Sequence, residues 1–272
     1  MMAFAIGQAL PTCEITAHNY AADVENRIHS DAGAAEHGFE GALVPGVGVY
    51  AYLTQPVVAA LGWDWLERGA MSAKFLKPVY DRDRVRAQAT VAGLDPLALD
   101  LELRNAGGTL CAVGAASLPA TPLALDPAAY PRRPRGLPLR PATIAAIQAG
   151  EWFGTVDFTL DLRGEVARFC DNVVDGSPIY RSEGICHPAY WLAQANEVVM
   201  QNVALGEWIH TESAVRHGAF ARDGETISLR SRVIEAFEKR GHELITLDIG
   251  VFGERDRPLL HIQHTAIINL RS

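Results

Sequence analysis

The 272 residues spell out one order of elements twice. On each side of a proline-rich passage, a long helical run is followed by four runs in which polar and apolar residues alternate. In the first flank the helical run is "PGVGVYAYLTQPVVAALG" (45–62), and the alternating runs are "ERGAMSAKFLKPVY", "DRVRAQATVAGL", "LALDLELRNAG" and "TLCAVGAASL". In the second, "HPAYWLAQANEVVMQNVALG" (187–206) precedes "IHTESAVRHGAF", "ETISLRSRVIEAF", "HELITLDIGVF" and "PLLHIQHTAIINL". Alternation with period two marks a half-buried strand, whereas a helix apolar on nearly all sides must be buried on several faces. A short helix is predicted ahead of each long one, at "NYAADVENRI" and "EVARFCDNVV". The repeat predicts an internal duplication of class α+β: two units, each a curved antiparallel sheet wrapped round its own central helix. The two sheets pair either edge to edge or face to face.

The passage between them, "PATPLALDPAAYPRRPRGLPLRPAT" (119–143), holds seven prolines and no strand or helix period. Proline fixes φ and removes a donor, so an extended connector is expected. The chain then divides into a first unit (1–118), a linker (119–150) and a second unit (151–272). Arg132, Arg133, Arg135 and Arg140 in the linker are expected to form a solvated face, a grip on phosphate being the alternative.

A net charge of −8 argues against a general nucleic-acid binder, though a local basic patch can still hold an anionic small ligand. No uninterrupted apolar run reaches ~18 residues, so no membrane span is expected. The start, "MMAFAIGQALPTCEIT", lacks a basic n-region, and a cytoplasmic protein without a secretory leader is expected. Cys13, Cys111, Cys170 and Cys186 form no CxxC pair and are expected as free thiols. No metal is expected. His261 and His264, three apart on a strand, should face opposite ways, and His18, His37, His210, His217 and His242 are scattered. No phosphate-binding glycine motif and no Gly-x-Ser-x-Gly elbow occurs, so no cofactor is expected and a serine-hydrolase reading is weakened.

The passage "NRIHSDAGAAEHGFEGALVPG" (26–46) places ionisable groups beside a glycine-bearing helix start. With the duplication, it resembles the double-hotdog MaoC-like family, which contains (R)-specific enoyl-CoA hydratases and related dehydratases. Asn26, Arg27, Ile28, His29 and Asp31 stand in that family's Asn-Pro-apolar-His-x-Asp pattern, Gly38 and Phe39 at its Gly-Phe, and Leu43, Val44, Pro45 and Gly46 at its helix entrance. The catalytic Asp expected five residues before the His falls on Val24, with Asp23 and Glu25 on either side; the motif's Pro is Arg27, and its entrance His is Pro45. The second half is complementary: Asp175 stands at the Asp position of "DGSPIY" and Tyr180 where the His belongs, while "GICHPAY" keeps the entrance His as His187 with Pro188 at the glycine.

The resemblance implies a lyase acting on an acyl thioester of CoA or a carrier protein, with a hotdog thioesterase or a non-catalytic acyl-thioester binder as alternatives. A monomer, already a pseudo-dimer, or a homodimer is expected. Such chemistry needs a group that moves protons and donors that hold charge on the thioester oxygen. His29 is the first candidate for acid/base, against a local helix-end role. Asp23 could orient water if a helix carries an extra residue there, and Asp31 is either catalytic or a cap. Asn26 either donates to a ligand or caps. Gly46, Val47 and Gly48 at the helix start offer backbone donors, or the glycines simply allow tight packing. Asp175, Tyr180 and His187 are candidate substrate contacts from the second half, with structural roles favoured for Tyr180 and His187. Lys74, Lys77, Arg82, Arg84 and Arg86 could meet phosphate or form an ion-paired strand face.

Overall fold

The computed structural model describes residues 4–270; the first three residues of the N-terminal passage and the last two of the chain lie outside the described residues. In the first half the strands are β1 (Cys13–Thr16), β2 (Ala70–Phe75), β3 (Arg84–Leu94), β4 (Leu97–Asn105) and β5 (Leu110–Ser117). A two-residue strand β6 (Arg140–Pro141) follows, then β7 (Val156–Thr159), β8 (Val203–Ala204), β9 (Ile209–His217), β10 (Thr226–Lys239), β11 (His242–Phe252) and β12 (Pro258–Asn269). The helices are α1 (Asp31–Glu36), α2 (Gly46–Arg68), α3 (Ala167–Asn172), α4 (Pro178–Arg181) and α5 (Tyr190–Met200).

Ten of these strands form one sheet in the order β1-β3-β4-β5-β2-β9-β12-β11-β10-β7. Read outward from the centre, each half has the same connectivity, so the duplication is present in the topology. The halves join edge to edge through β2 and β9, antiparallel from Ala70 opposite Arg216 to Lys74 opposite Glu212. Each half holds five strands rather than four. The additional ones, β1 and β7, are four residues long and lie ahead of the central helix, too short for alternation to reveal.

Alternation decides which face each strand buries. In β3, Val85, Ala87, Ala89 and Val91 point inward between more exposed neighbours. α2 is buried at every position from Val47 to Thr54, as its all-round apolar surface demands. Its first stretch ends at Gly62, where a non-helical φ of 52° kinks the chain, and a second helical stretch continues to Arg68. α5 is shorter than the helix expected over 187–206: it starts at Tyr190 and stops where Asn202 turns its amide onto the Val198 and Gly154 carbonyls. The segment at 19–28 is not a helix. The Asn19 side chain accepts from the Ala21 N–H and donates to the His29 carbonyl, and this local bonding replaces a helical ladder with turns and one 3-10 turn at Arg27–His29.

The proline-rich connector runs largely exposed over the surface and is anchored at single points. Tyr130 is buried against Phe252 and donates its hydroxyl to Asp248, and Ile147 and Phe153 lie fully in the core. Arg132, Arg133 and Arg135 are exposed, as a solvated face requires, with Arg132 paired to Asp157 and Arg135 donating to Gln201, whereas half-buried Arg140 pairs with Glu151 and lies over the Phe153 ring. All four cysteines are free. Among the described residues no helix is long and apolar enough to cross a membrane.

Next to the seam, β5 runs against β2 so closely that a Cβ on Gly114 would lie 2.4 Å from the Ser72 carbonyl oxygen. Backbone cannot give way as a flexible side chain can, so Gly114→Ala must displace β2. We expect a thermal midpoint lower by several degrees, corresponding to about 1–3 kcal/mol, in a calorimetric melt. An unchanged midpoint would show that the strands are not held at this spacing.

Candidate functional site

A cleft of about 820 Å³ opens at the start of α2 and takes its lining from both halves. Its apolar wall includes Ile28, Leu43, Val49, Ile209 and Ile267, and Lys74, Lys77, Lys239 and Arg240 also line it. Of the cations picked out on the first strands, Lys74 and Lys77 reach this cleft, Lys74 in an ion pair with Glu212 at 3.0 Å. Arg84 and Arg86 pair instead with Glu14, and Arg82 with Asp81.

His29 ends the 3-10 turn and lines the cleft. Its Nδ1 lies 2.8 Å from the Leu43 carbonyl oxygen. A carbonyl can only accept, so the neutral ring carries its proton on Nδ1 and presents a bare Nε2. Burial pushes the His29 pKa below the usual imidazole range, opposed by the bond to Leu43. No carboxylate among the described residues bonds to His29. Asp23 is exposed in the turn that replaces the expected helix, so the extra-residue geometry it needed does not exist. Asp31 is the first residue of α1, and its carboxylate accepts from the Ala42 N–H at 2.9 Å while Ser30 caps the helix. It closes a loop.

Gly46 begins α2 with Pro45 as its cap. The N–H groups of Gly48 and Val49 bond to the Pro45 carbonyl, whereas those of Gly46 and Val47 have no partner among the described residues. Gly46 lines the cleft. Val47 is buried in the core, and a Cβ at Gly48 would press on Val44 and Tyr20, so these two serve packing rather than the cleft. Asn26 lines the cleft but spends its amide on the second half: Nδ2 donates to the Trp208 carbonyl at 2.9 Å and Oδ1 accepts the Trp208 N–H at 3.4 Å.

The second-half candidates lie elsewhere. His187 Nε2 meets Asp175 Oδ2 at 3.2 Å, its Nδ1 accepts from the Ala189 N–H, and the Tyr180 ring covers it at 4.5 Å. His187 has no exposed surface, and none of the three residues lines the cleft. Desolvation raises the Asp175 carboxyl, but the bonds from His187 and the Ser177 N–H outweigh it and hold the group below its ordinary value. The two histidine positions separated in sequence by the duplication therefore remain separate in space: His29 faces a cleft, and the Asp175–His187 pair is sealed in the core.

The cleft also contains residues that the sequence did not single out. His210 and Ser213 from β9 line it, with His210 Nε2 2.7 Å from Ser213 Oγ and Ser213 Oγ 3.0 Å from His264 Nδ1. The two imidazoles stack at 4.2 Å. Residues three apart on a regular strand face opposite ways, but Thr211 is an unpaired bulge residue between His210 and Glu212, and this returns both His210 and Ser213 to the inner face. The signal in "IHTES" was thus hidden by a bulge. Asn196 of α5 also reaches the cleft, its Oδ1 buried without a partner. Among the described residues no group of three or more acidic, His or Cys side chains could hold a metal ion.

Burial, with His264 beside it, holds His210 well below the usual imidazole pKa, a backbone contact at Glu212 acting against this; burial takes His217 to about 4 and His264 to about 3. These rings fold neutral. Their unfolded pKa is near 6.5, so the stability they contribute is complete above that pH and is lost as pH falls toward 4 and then 3. His217 alone accounts for about 3 kcal/mol over that window. Thermal midpoints measured from pH 8 to pH 4 should fall steeply below about pH 6.5, and His217→Phe should flatten the curve. A flat profile in the parent protein would mean that these rings are not buried neutral.

No family model and no curated protein sequence matches the chain. Solved structures do. One, described as a MaoC-domain dehydratase from Chloroflexus aurantiacus, is 13% identical with a TM-score of 0.72, over 99% of this chain and 97% of that one. A conserved hypothetical protein of Mycobacterium tuberculosis, described as a double hotdog, is 17% identical with a TM-score of 0.65, over 97% and 96%. A protein of Lactobacillus plantarum described as an oleoyl thioesterase is 11% identical with a TM-score of 0.53, over 98% of each chain. These likenesses show the fold: the chain is an α+β double hotdog.

Proposed function

We propose that this double-hotdog chain adds water to, or removes it from, the C2–C3 bond of an acyl thioester, with His29 moving the protons. The observation that carries the proposal is one cleft holding both an imidazole with a free Nε2 and a helix-start N–H without a partner, at Gly46. The apolar wall suits an acyl chain, and Lys74, Lys77, Lys239 and Arg240 suit the phosphates of CoA or of a carrier's phosphopantetheine arm.

In the hydration direction, the oxygen of a water held by His29 bonds to C3. Its proton passes to Nε2, and the electrons of the C2–C3 double bond move onto the thioester oxygen. The Gly46 N–H, reinforced by the helix dipole, holds that charge. The imidazolium then returns its proton to C2, the thioester carbonyl re-forms, and one molecule of water has been added. A single imidazole serving both steps delivers oxygen and hydrogen to one face, so syn addition is expected. The sequence is redox-neutral and needs no electron carrier. The Leu43 carbonyl takes the orienting role that a carboxylate would otherwise have. The β2–β9 seam already pairs two units, so the chain is proposed to work without a second copy.

Hydrolysis of the thioester is the second candidate. Glu212 and Glu235 line the same cleft, and a carboxylate there could direct water at the carbonyl carbon. Incubation with 2-enoyl-CoAs from C4 to C16 separates the alternatives. Formation of 3-hydroxyacyl-CoA supports the hydratase; release of free thiol supports the thioesterase; binding without either product overturns both enzymatic proposals. His29→Ala should lower hydration by at least about a hundredfold while leaving the melting temperature nearly unchanged. In the parent enzyme kcat/KM should rise with pH through a pKa below about 6.5 and stay flat above it, because only neutral His29 accepts the proton.

A further inference from the structure

The Leu43 carbonyl sets the His29 ring, so whatever fixes that carbonyl also fixes which nitrogen faces the cleft. The two residues are 14 positions apart. Between them lie α1 and two glycines, Gly38 with φ of 77° and Gly41. A loop of this make-up does not hold its far end against its start without ties. Three successive N–H groups at the far end are tied. Ala42 N–H donates to Asp31 Oδ1 at 2.9 Å, Leu43 N–H to the Ile28 carbonyl at 3.3 Å, and Val44 N–H to the Val79 carbonyl at 2.8 Å.

These ties do different things. The Val79 bond fastens Leu43 to the segment between β2 and β3, not to His29. The Ile28 and Asp31 bonds fasten it to the chain turn that carries His29. The Ile28 bond is longer than the usual range, whereas the Asp31 bond is of ordinary length and ends on a carboxylate. At its main-chain end, His29 is held from another direction. Asn19 Nδ2 donates to the His29 carbonyl at 2.8 Å, and the Asn19 N–H donates to Asp81 Oδ1 at 2.8 Å. The His29 turn and the Leu43 segment are therefore anchored separately, on Asp81 and on Val79, and the Asp31 carboxylate joins one to the other. Asp31 does not itself line the cleft.

We propose that Asp31 is a positioning residue: by holding the Ala42 N–H it keeps the Leu43 carbonyl on His29 Nδ1–H, and so keeps a bare Nε2 in the cleft. Its effect on rate rests on the proposed hydratase reading; its effect on the tautomer does not. A neutral histidine without an acceptor at Nδ1 can carry its proton on either nitrogen, and the Nε2–H form has no lone pair in the cleft to take a proton from water. The same carbonyl meets the Nδ1–H more strongly once the ring is an imidazolium, so its placement matters at both proton transfers. A carboxylate thus orients the imidazole through a backbone segment instead of touching it, in a chain whose motif position for the direct contact is Val24.

The test uses the intact protein labelled with 15N-histidine, with His29 assigned through His29→Gln. A two-bond correlation spectrum at pH 7 should show the parent His29 protonated on Nδ1; protonation on Nε2 overturns the proposal. Three variants separate placement from charge. Asp31→Ala removes the acceptor, Asp31→Glu keeps the charge but moves the oxygens by a methylene, and Asp31→Asn keeps Oδ1 without the charge. Asp31→Ala and Asp31→Glu should both gain the Nε2–H form. With crotonyl-CoA both should lose about tenfold or more in kcat with KM within about twofold. Asp31→Asn should restore the Nδ1–H form and kcat. An unchanged tautomer in Asp31→Ala and Asp31→Glu overturns the proposal, whatever the rates. Rescue by Glu and not by Asn also overturns it, because charge and not placement would then be the agent. Should Asp31→Ala fail to fold, the Glu and Asn variants carry the same comparison. If the parent protein hydrates no enoyl-CoA, the proposed activity fails on its own, and the tautomers still decide the role of Asp31.

Discussion

The antiparallel pairing of β2 with β9 is the interaction on which the rest depends. It converts two five-stranded sheets into one and fixes what each half presents to the other's helix. Through it, His210 and Ser213 of the second half reach the start of α2 in the first, and Lys74 meets Glu212 across the junction. Asn26 reinforces the arrangement from outside the sheet by holding both backbone groups of Trp208. A strand register is a strong constraint, because a slip of one residue would turn every inward side chain of β9 outward. The cleft therefore exists only as a product of two halves in this register.

Duplication has not produced two equal sites. At the start of α2, Pro45 and Gly46 leave backbone donors open beside His29. At the start of α5, His187 turns back to accept the Ala189 N–H and contacts Asp175, and the Tyr180 ring lies over it. The difference follows from a few substitutions: an aromatic ring where the motif has an imidazole fills the space, and filled space excludes water and ligand. Buried polar groups must then satisfy each other, as Asp175 and His187 do. One half supplies an accessible imidazole and helix start; the other supplies strand residues and packing.

The open half lacks the motif's carboxylate, and the His29 ring meets the Leu43 carbonyl instead. The Leu43 carbonyl holds His29 in one tautomer, which is the orienting part of a carboxylate's work, but brings no full negative charge. The imidazole is therefore less basic than a carboxylate-paired one, consistent with its lowered pKa. The neutral histidines deeper in the protein follow the same logic: without a carboxylate beside them, burial dictates their charge.

Much of this architecture was legible in the residues. Period-two alternation and an all-round apolar first helix specify strands wrapped on a buried helix, because the hydrophobic effect acts on each face locally. The position of His29 ahead of a glycine-bearing helix start also belongs to local sequence. Other features depended on partners far along the chain. Val24, Asp23 and Glu25 could not be resolved until Asn19 was seen to hold the segment in turns, and Asn26 read as a cap or ligand donor until Trp208, from the other half, occupied it. The Pro-rich connector gave no sign that Tyr130 would anchor on Asp248. His210 and Ser213 were invisible as a pair because strand periodicity sends residues three apart to opposite faces, and only pairing with β12 created the bulge at Thr211 that turned them the same way. Local preference thus determined the elements. Which side chains share a cleft was decided by the register between strands distant in sequence, since hydrogen-bond pairing, and not propensity, sets where each residue points.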